Sequence, residues 1–347
     1  MKNLPFIFIL LLVLSSCGGG SEKNNTPGVN DSIVSTTHDT TAEIGSGDEE
    51  MTEPREIAFD LYKKRSIFLD TPFVADSALM ALFPGNYYSG EVKMDVWTSS
   101  KTPSKKFDGW YDEMTDSFPA RTGTETRLGT QIEFVDDGGT KNMFISFSSF
   151  EFTGDEIRTG RFSCAYMGLA HFILEANKWK LREFSPVLGC FGAFGELPGL
   201  NLVKFGRSSY GVYLDNSNGG AGGAYYGDTY VFGLLNNEFQ LLLRDRNTSL
   251  GNAMSDWSSE FSGTGSGKPF ENLRRTMKGS YQTYAGFKAQ DDDTNNVPDA
   301  IKELIKTKEH FNFTIVTDFE FVNGEYVFKN EDATVTDMPK DQWTSQP

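Results

Sequence analysis

The stretch from Trp179 to Arg246 constrains the fold of this chain most strongly, because its centre alternates glycines with aromatic residues. The glycines are Gly189, Gly192, Gly195, Gly199, Gly206 and Gly211. Glycine at this density weakens a helix and permits tight turns, whereas aromatic residues favour the half-buried face of a pleated sheet. The stretch therefore predicts short antiparallel strands joined by tight turns.

Three hairpins have strong local signals, since an Asn-containing pair of residues separates two apolar-alternating runs in each. The predicted turns are Asn177-Lys178, Asn236-Asn237 and Asn323-Gly324. The predicted cross-strand pairs are Glu175 with Lys180, Leu174 with Leu181, Phe232 with Leu241, Leu234 with Phe239, Phe319 with Phe328, and Phe321 with Tyr326. Each register keeps one face of its hairpin apolar.

These patterns predict a mainly β fold, in which antiparallel hairpins form a sandwich or an irregular, partial-propeller-like assembly of sheets. A few short helices are expected at residues 55–65, 73–83 and 270–278, and near residues 298–308, where apolar residues recur at helical spacing or caps are present. No regular repeat is expected, because the spacing between the three turns is uneven.

The N-terminus carries a short basic start, Met1-Lys2, an apolar run from Leu4 to Leu14 and then Leu14-Ser15-Ser16-Cys17. This arrangement resembles a bacterial lipoprotein signal peptide with LSSC as its lipobox. The resemblance implies cleavage before Cys17, acylation of Cys17 and attachment to a membrane through the lipid. It places the mature protein in the bacterial cell envelope, facing the periplasm or the cell exterior.

The composition divides the chain into four parts. Residues 1–16 are the predicted signal peptide, and residues 17–54 are small, polar and acidic, which predicts a disordered, acylated tether. Residues 55–332 form the predicted mainly β globular domain, and residues 333–347 a polar tail.

The formal net charge of −16 disfavours nucleic-acid partners. The loop Ser262 to Pro269 resembles a phosphate-binding P-loop but has Ser262 in place of the first glycine and Pro269 in place of the magnesium-binding hydroxyl. The glycine-rich segment 219–227 lacks dinucleotide-binding spacing and precedes a predicted strand. No nucleotide ligand is therefore expected.

Two cysteines remain after Cys17, namely Cys164 and Cys190, and both lie in predicted strands or at their edges. An oxidising compartment would allow them to form a disulfide. They are equally compatible with two buried free thiols, because a sequence gives no distance between them.

An acidic loop supplies a weak candidate for a structural calcium site. Its oxygen-bearing residues Asp291, Asp293, Asn295 and Asp299 follow the spacing of a calcium-binding loop. The pattern fails at its sixth position, Asn296, and at its twelfth, Lys302. Asp299 is equally well explained as a favourable charge in the first turn of a helix. Apart from this calcium candidate, no cofactor is expected.

No catalytic residue is assigned, because His38 lies in the tether and His171 and His310 lie in apolar strands. The sequence favours a non-catalytic binding or structural module that takes a protein or glycan partner. The alternative is an extracytoplasmic, carboxylate-dependent hydrolase acting on glycans. The aromatic residues that could stack on sugars, or else cover the edges of the sheet, are Trp97, Trp110, Tyr111, Tyr225, Tyr226 and Trp257.

Overall fold

The computed structural model describes residues 35–36, 53–90, 92–108, 115–154, 163–219, 225–252, 254–265, 267–284, 286, 289 and 294–343. Within this part of the chain the protein is mainly β, as predicted, with two large sheets, a small two-stranded sheet and short helices. Residues 33–347 cluster as one compact unit, so the sheets pack on one another. Cys17 and the predicted signal peptide lie outside the described residues.

The first sheet has nine strands from the N-terminal half of the chain. They are β1 (Ser35–Thr36), β2 (Arg55–Glu56), β3 (Phe68–Asp70), β4 (Asn86–Tyr88), β5 (Met94–Thr98), β8 (Thr124–Val135), β9 (Lys141–Glu151), β10 (Ala165–Glu175) and β11 (Lys178–Phe191). The small sheet pairs β6 (Lys106–Asp108) with β7 (Thr115–Ser117). The strand order in the first sheet is β2-β5-β8-β9-β10-β11-β3, with β1 paired to β8 and β4 to β5.

The second sheet is an eight-stranded antiparallel meander whose spatial order equals its chain order. Its strands are β12 (Leu200–Gly206), β13 (Ser209–Gly219), β14 (Tyr225–Leu235), β15 (Glu238–Gly251), β16 (Asp256–Gly263), β17 (Leu273–Gln282), β18 (His310–Val322) and β19 (Glu325–Asp337). The sheet curls into a half-barrel. β15 pairs with β16 only at Leu250 and Gly251, which is the shortest pairing in this sheet.

Period-two patterning explains why these segments are strands. In β18, Phe311, Phe313 and Ile315 are buried whereas Asn312 and Thr314 between them are less so. This alternation places one face of the strand on a core and the other towards solvent. Repeated on neighbouring strands, it produces a sheet with one continuous apolar face.

Two of the three predicted registers are confirmed, including the pairs Phe232 with Leu241 and Phe319 with Phe328. The first hairpin differs, since Ala176 and Asn177 take the positive φ angles of the turn and Glu175 pairs with Lys178. The predicted charge contact still forms diagonally, with Lys180 Nζ 3.1 Å from Glu175 Oε2. A type I′ turn requires positive φ at both central residues, and Asn177 takes the second position here.

Helices are short in the described part of the chain: α1 covers Ala75–Leu82 and α2 covers Lys302–Ile305, while Asp299–Ile301 and Lys340–Gln342 are 3₁₀ turns. The helices predicted at 73–83 and near 298–308 are therefore confirmed in shortened form. The helix predicted at 55–65 is wrong, because β2 is followed there by turns. The helix predicted at 270–278 is also wrong, because β17 pairs along its whole length with β18.

Paired strands occur on both sides of the segment predicted as the globular domain, residues 55–332. β1 lies within the segment 17–54, which was expected to be a tether, and it pairs with β8 beyond the point where β5 stops covering that edge. At the other end, β19 remains paired with β18 as far as Asp337, beyond the predicted limit at Asp332. Main-chain pairing with β18 is supplemented by side-chain contacts, since Tyr326 lies in one apolar cluster and Val335 packs against another.

Four apolar clusters form the core. One packs α1 on one face of the first sheet around Leu79, Phe83 and Phe147. A second lies between the two sheets and joins Phe144 of β9 to Phe232 of β14. The other two line the curl of the second sheet and the face covered by α2. The sheet-on-sheet contact makes the protein a sandwich whose second layer is curled. No helix of the described residues combines the length and the apolar character needed to cross a membrane.

Candidate functional site

A cleft of about 380 Å³ opens at the free edge of β11. β3 covers this edge only from Lys178 to Lys180, after which the Leu181 N–H donates to Ile67 O. The segment 62–65 then diverges from β11 and forms one wall of the cleft, while the start of β15 forms another. A volume of this size suits a small ligand or one end of a larger one.

Basic side chains dominate the rim of this cleft, which we call the basic cleft. They are Lys63, Lys64, Arg65, Lys105 and Arg182. Lys63 and Arg182 are exposed, and neither forms an ion pair with any described residue. Burial lowers the pKa of Lys105, which indicates that its ammonium group is partly removed from water. A cationic cleft is therefore present on a strongly acidic chain.

Arg65 anchors the floor of the basic cleft. Its Nη1 and Nη2 donate to Ala81 O and Leu82 O at the end of α1, at 3.1 and 2.7 Å. The guanidinium also lies over the ring of Phe59, 4.6 Å from its centroid. Burial lowers the pKa of Arg65 to about 10, and no carboxylate among the described residues pairs with it. Among the described residues, the groups that balance its positive charge are helix carbonyls and aromatic faces.

Two acidic residues share the basic cleft. Glu183 is 8% exposed, and its carboxylate lies 3.7 Å from Lys64 Nζ. Burial raises the pKa of Glu183, and the nearby charge of Glu238 adds to that effect. The N–H of Phe184 donates to the Glu183 carboxylate, which leaves further acceptor capacity on that group. Glu238 is exposed.

The edge of β11 that faces the basic cleft is poorly suited to accept another strand. Pro186 has no N–H to donate, and the Phe184 N–H is already bonded to Glu183. Natural sheets block exposed edges with prolines and charged side chains in this way. The cleft therefore offers side chains, rather than main-chain pairing, to a ligand.

A second charged cluster lies inside the curl of the second sheet, centred on Arg275, whose side chain is 5% exposed. Its Nη1 donates to Asp245 at 2.7 Å, and its Nη2 donates to Thr317 and Glu331 at 2.6 and 3.0 Å. Burial raises the pKa of Asp245 to about 6. The cluster ties β15, β17, β18 and β19 together, which is a structural role.

His171 and Asp95 are buried titratable groups outside the basic cleft. His171 Nε2 lies 2.8 Å from Asn142 Oδ1, and burial lowers the His171 pKa to about 4. The ring packs among Phe134 and Phe144, as expected for a structural histidine. Burial raises the pKa of Asp95 to about 7, although the Gly85 N–H and the charge of Arg55 act in the opposite direction.

Cys164 and Cys190 are joined in a disulfide with their Cα atoms 5.4 Å apart. The bond links the start of β10 to the end of β11, beside the first core cluster. It therefore closes the end of the strand pair that lies opposite the 176–177 turn.

The calcium prediction stays untested, because Asp291 and Asp293 lie outside the described residues. Asp299 is 87% exposed and pairs with Lys302 at 2.6 Å in the 3₁₀ turn. Asn295 O accepts from Asn247 Nδ2. The position of Asp299 in the first turn and its pairing with Lys302 fit the alternative in which it is a first-turn charge. Among the described residues no cluster of acidic, His and Cys side chains could hold a metal ion.

The loop that resembles a P-loop leads into the strand β17 and not into a helix, so the helix N-terminus that binds phosphate in a true P-loop is missing there. Among the aromatic residues considered for glycan stacking, Trp97 and Trp257 are buried and Tyr226 is packed on a core cluster. Tyr225 is 57% exposed. Trp110 and Tyr111 lie outside the described residues.

The basic cleft was not predicted from the sequence. The run Lys63-Lys64-Arg65 was a usable signal, because it is a concentrated cationic segment in an acidic chain. It was instead included in the helix predicted at 55–65. The other walls come from residues more than a hundred positions further along the chain, so only the fold could bring them together.

Comparison of the chain with models of known protein families, with curated proteins and with solved structures gave no match. The function is therefore argued from the residues and their geometry alone.

Proposed function

We propose that this protein is a lipid-anchored envelope protein whose β domain binds an anionic ligand in the basic cleft. The lipobox-like sequence ending at Cys17 supports the anchor. The observation that supports binding is the uncompensated positive charge: Lys63 and Arg182 have no carboxylate partner among the described residues, and Arg65 is balanced only by carbonyls and rings. Cations held at a concave surface attract an anion.

The composition of the walls supports a ligand with both an anionic and an apolar part. Phe184, Leu188 and Phe239 line the cleft beside the basic side chains. A ligand could pair its anionic group with Arg182 and pack its apolar part against these three side chains. Binding would then bury apolar surface as well as pair the charges. A small molecule or the end of a protein or glycan partner could present such a group.

A carboxylate-dependent glycan hydrolase needs two acidic groups that converge on a bond, one of them held protonated. Glu183 is buried with a raised pKa, but its neighbour Glu238 is exposed and lies at the start of β15. This arrangement supports binding over hydrolysis. Glu183 remains the residue to substitute in any assay for hydrolysis.

Anion binding is tested by titrating the full-length chain in detergent with inorganic phosphate, sulfate and octanoate, using calorimetry. We expect saturable binding of at least one anion and a loss of affinity of about tenfold in Arg182→Gln, because one cationic partner is removed. Arg246→Gln is the matched control, since Arg246 is an exposed arginine of β15 outside the cleft. Equal loss in both variants, or no binding to any of the three anions, would overturn the proposal.

The anchor is tested separately by growing cells with labelled palmitate. We expect label on the wild-type chain and none on Cys17→Ala, which would stay uncleaved. Palmitate label on the Cys17→Ala chain would contradict acylation at Cys17. It would leave the proposal of anion binding in the cleft unaffected.

A further inference from the structure

We infer that Glu183 sets the specificity of the basic cleft, by favouring a phosphate group that carries a proton over an oxyanion that carries none. The inference rests on the proposed anion binding and goes further by naming the ligand chemistry. Glu183 is an unusual neighbour for an anion, because its carboxylate lines the same cavity as the cations and is 8% exposed.

The contacts of Glu183 leave room for a donor from the ligand. Lys64 Nζ pairs with the carboxylate at a long distance of 3.7 Å, and 71% of the Lys64 side chain is exposed, so a ligand can displace it. The Phe184 N–H supplies one hydrogen bond to the carboxylate. A carboxylate has about four acceptor positions, so acceptor capacity remains for a ligand beside these two partners.

Arg182 and Glu183 have opposite electrostatic effects on an oxyanion placed between them. The basic side chains attract its negative charge, whereas the buried carboxylate repels every oxygen that does not carry a proton. A protonated oxygen reverses this effect, because it donates a short, charge-assisted hydrogen bond to Glu183. Inorganic phosphate keeps a proton near neutral pH, and sulfate has none.

Specificity of this kind is a difference between two affinities and depends on the repulsive element as much as on the attractive one. Arg65 and Lys105 provide attraction for either anion, since neither can distinguish phosphate from sulfate by charge alone. Glu183 is the buried acidic residue of the cleft. Its carboxylate can accept a hydrogen bond from a protonated ligand oxygen but cannot donate one to an unprotonated oxygen. A phosphate monoester would bind as its monoanion and so lose affinity above its second pKa of about 6.

The experiment compares phosphate with sulfate by calorimetry on the full-length chain in detergent. We expect wild type to prefer phosphate by about tenfold or more. Glu183→Gln should bring the two affinities to within about twofold of each other, chiefly by improving sulfate, because the amide can donate as well as accept. Methyl phosphate titrated on both sides of pH 6 separates a monoester ligand from free phosphate.

Glu238→Gln is the matched control, since it removes a negative charge from the same cleft at an exposed position. It should strengthen both anions alike and leave their ratio unchanged. If wild type binds sulfate as tightly as phosphate, or if Glu183→Gln leaves the ratio unchanged, the role of Glu183 is overturned while anion binding stands. If neither phosphate nor sulfate binds but octanoate binds with dependence on Arg182, the phosphate specificity is overturned. The proposal that the cleft binds an anion then stands. If none of the three binds, both proposals fail.

Discussion

Arg65, in the loop that precedes β3, is half-buried and Arg275, in β17, is buried, and their charges are balanced differently. Arg275 meets two carboxylates and a hydroxyl within 3.0 Å. Arg65 meets two helix carbonyls and an aromatic ring, beside the basic cleft. A buried cation that meets carboxylates ties strands together, whereas a cation without a carboxylate partner at a cavity marks a place for a ligand.

The largest loss of stability is expected where charge is matched. Arg275→Met should destabilise the domain by about 3 kcal/mol, because it leaves the partly buried carboxylates of Asp245 and Glu331 without a cation. Chemical unfolding measures the loss. Arg274→Met is the control from the same strand, since Arg274 is 48% exposed and pairs with Asp318 at the surface. It should cost less than about 1 kcal/mol. Similar losses in both variants would break the comparison.

An opposite effect, a gain of stability, is expected at Asp95, the unmatched buried carboxylate of the first sheet. Its folded-state pKa of about 7 lies above the ordinary value of 3.8, so the folded state binds the proton more tightly than the unfolded state. The contribution of Asp95 to stability should therefore fall as the pH rises from about 4 to about 7 and remain low above that range, whereas His171, whose pKa is lowered, acts in the opposite direction in wild type and variant alike. Asp95→Asn should therefore gain stability relative to wild type as the pH rises, by roughly 4 kcal/mol under alkaline conditions.

Urea unfolding of wild type and Asp95→Asn across that pH range measures the difference. Asp70→Asn is the control, because the Asp70 side chain is 89% exposed and should not alter the pH dependence. Parallel stability curves for wild type and Asp95→Asn would show that the Asp95 charge is compensated after all.

The smallest effect on stability is expected in the basic cleft itself. Arg182→Gln and Lys63→Gln should change the free energy of unfolding by less than about 0.5 kcal/mol, because both side chains are exposed and unpaired among the described residues. Thermal unfolding checks this value. A large loss of stability would show that Arg182 and Lys63 have a structural role like that of Arg275 and would count against a role in ligand binding.

The hairpins were predictable because their signals are local. Asn323-Gly324 and Asn236-Asn237 set their turns, and two-residue turns fix the register of the strands that follow. The turn at Ala176-Asn177 was placed one residue too late, since Asn can take either central position. The helix predicted at 270–278 failed because the pairing of β17 with β18 overrode local helical preference.

The sequence by itself determined that the protein is built from β-hairpins, since alternation along a strand and the chemistry of its turns are properties of neighbouring residues. It also supplied the prediction of a lipid anchor at Cys17, which rests on a short linear motif. Only the tertiary structure decided which charges are matched. Arg275 reaches Asp245 and Glu331 across the curl of a sheet, while Arg182 and Lys63 line a cleft and have no carboxylate partner in the described part of the chain. The net effect of a charge depends on burial and on distances between residues far apart in the chain, and neither is encoded in local spacing.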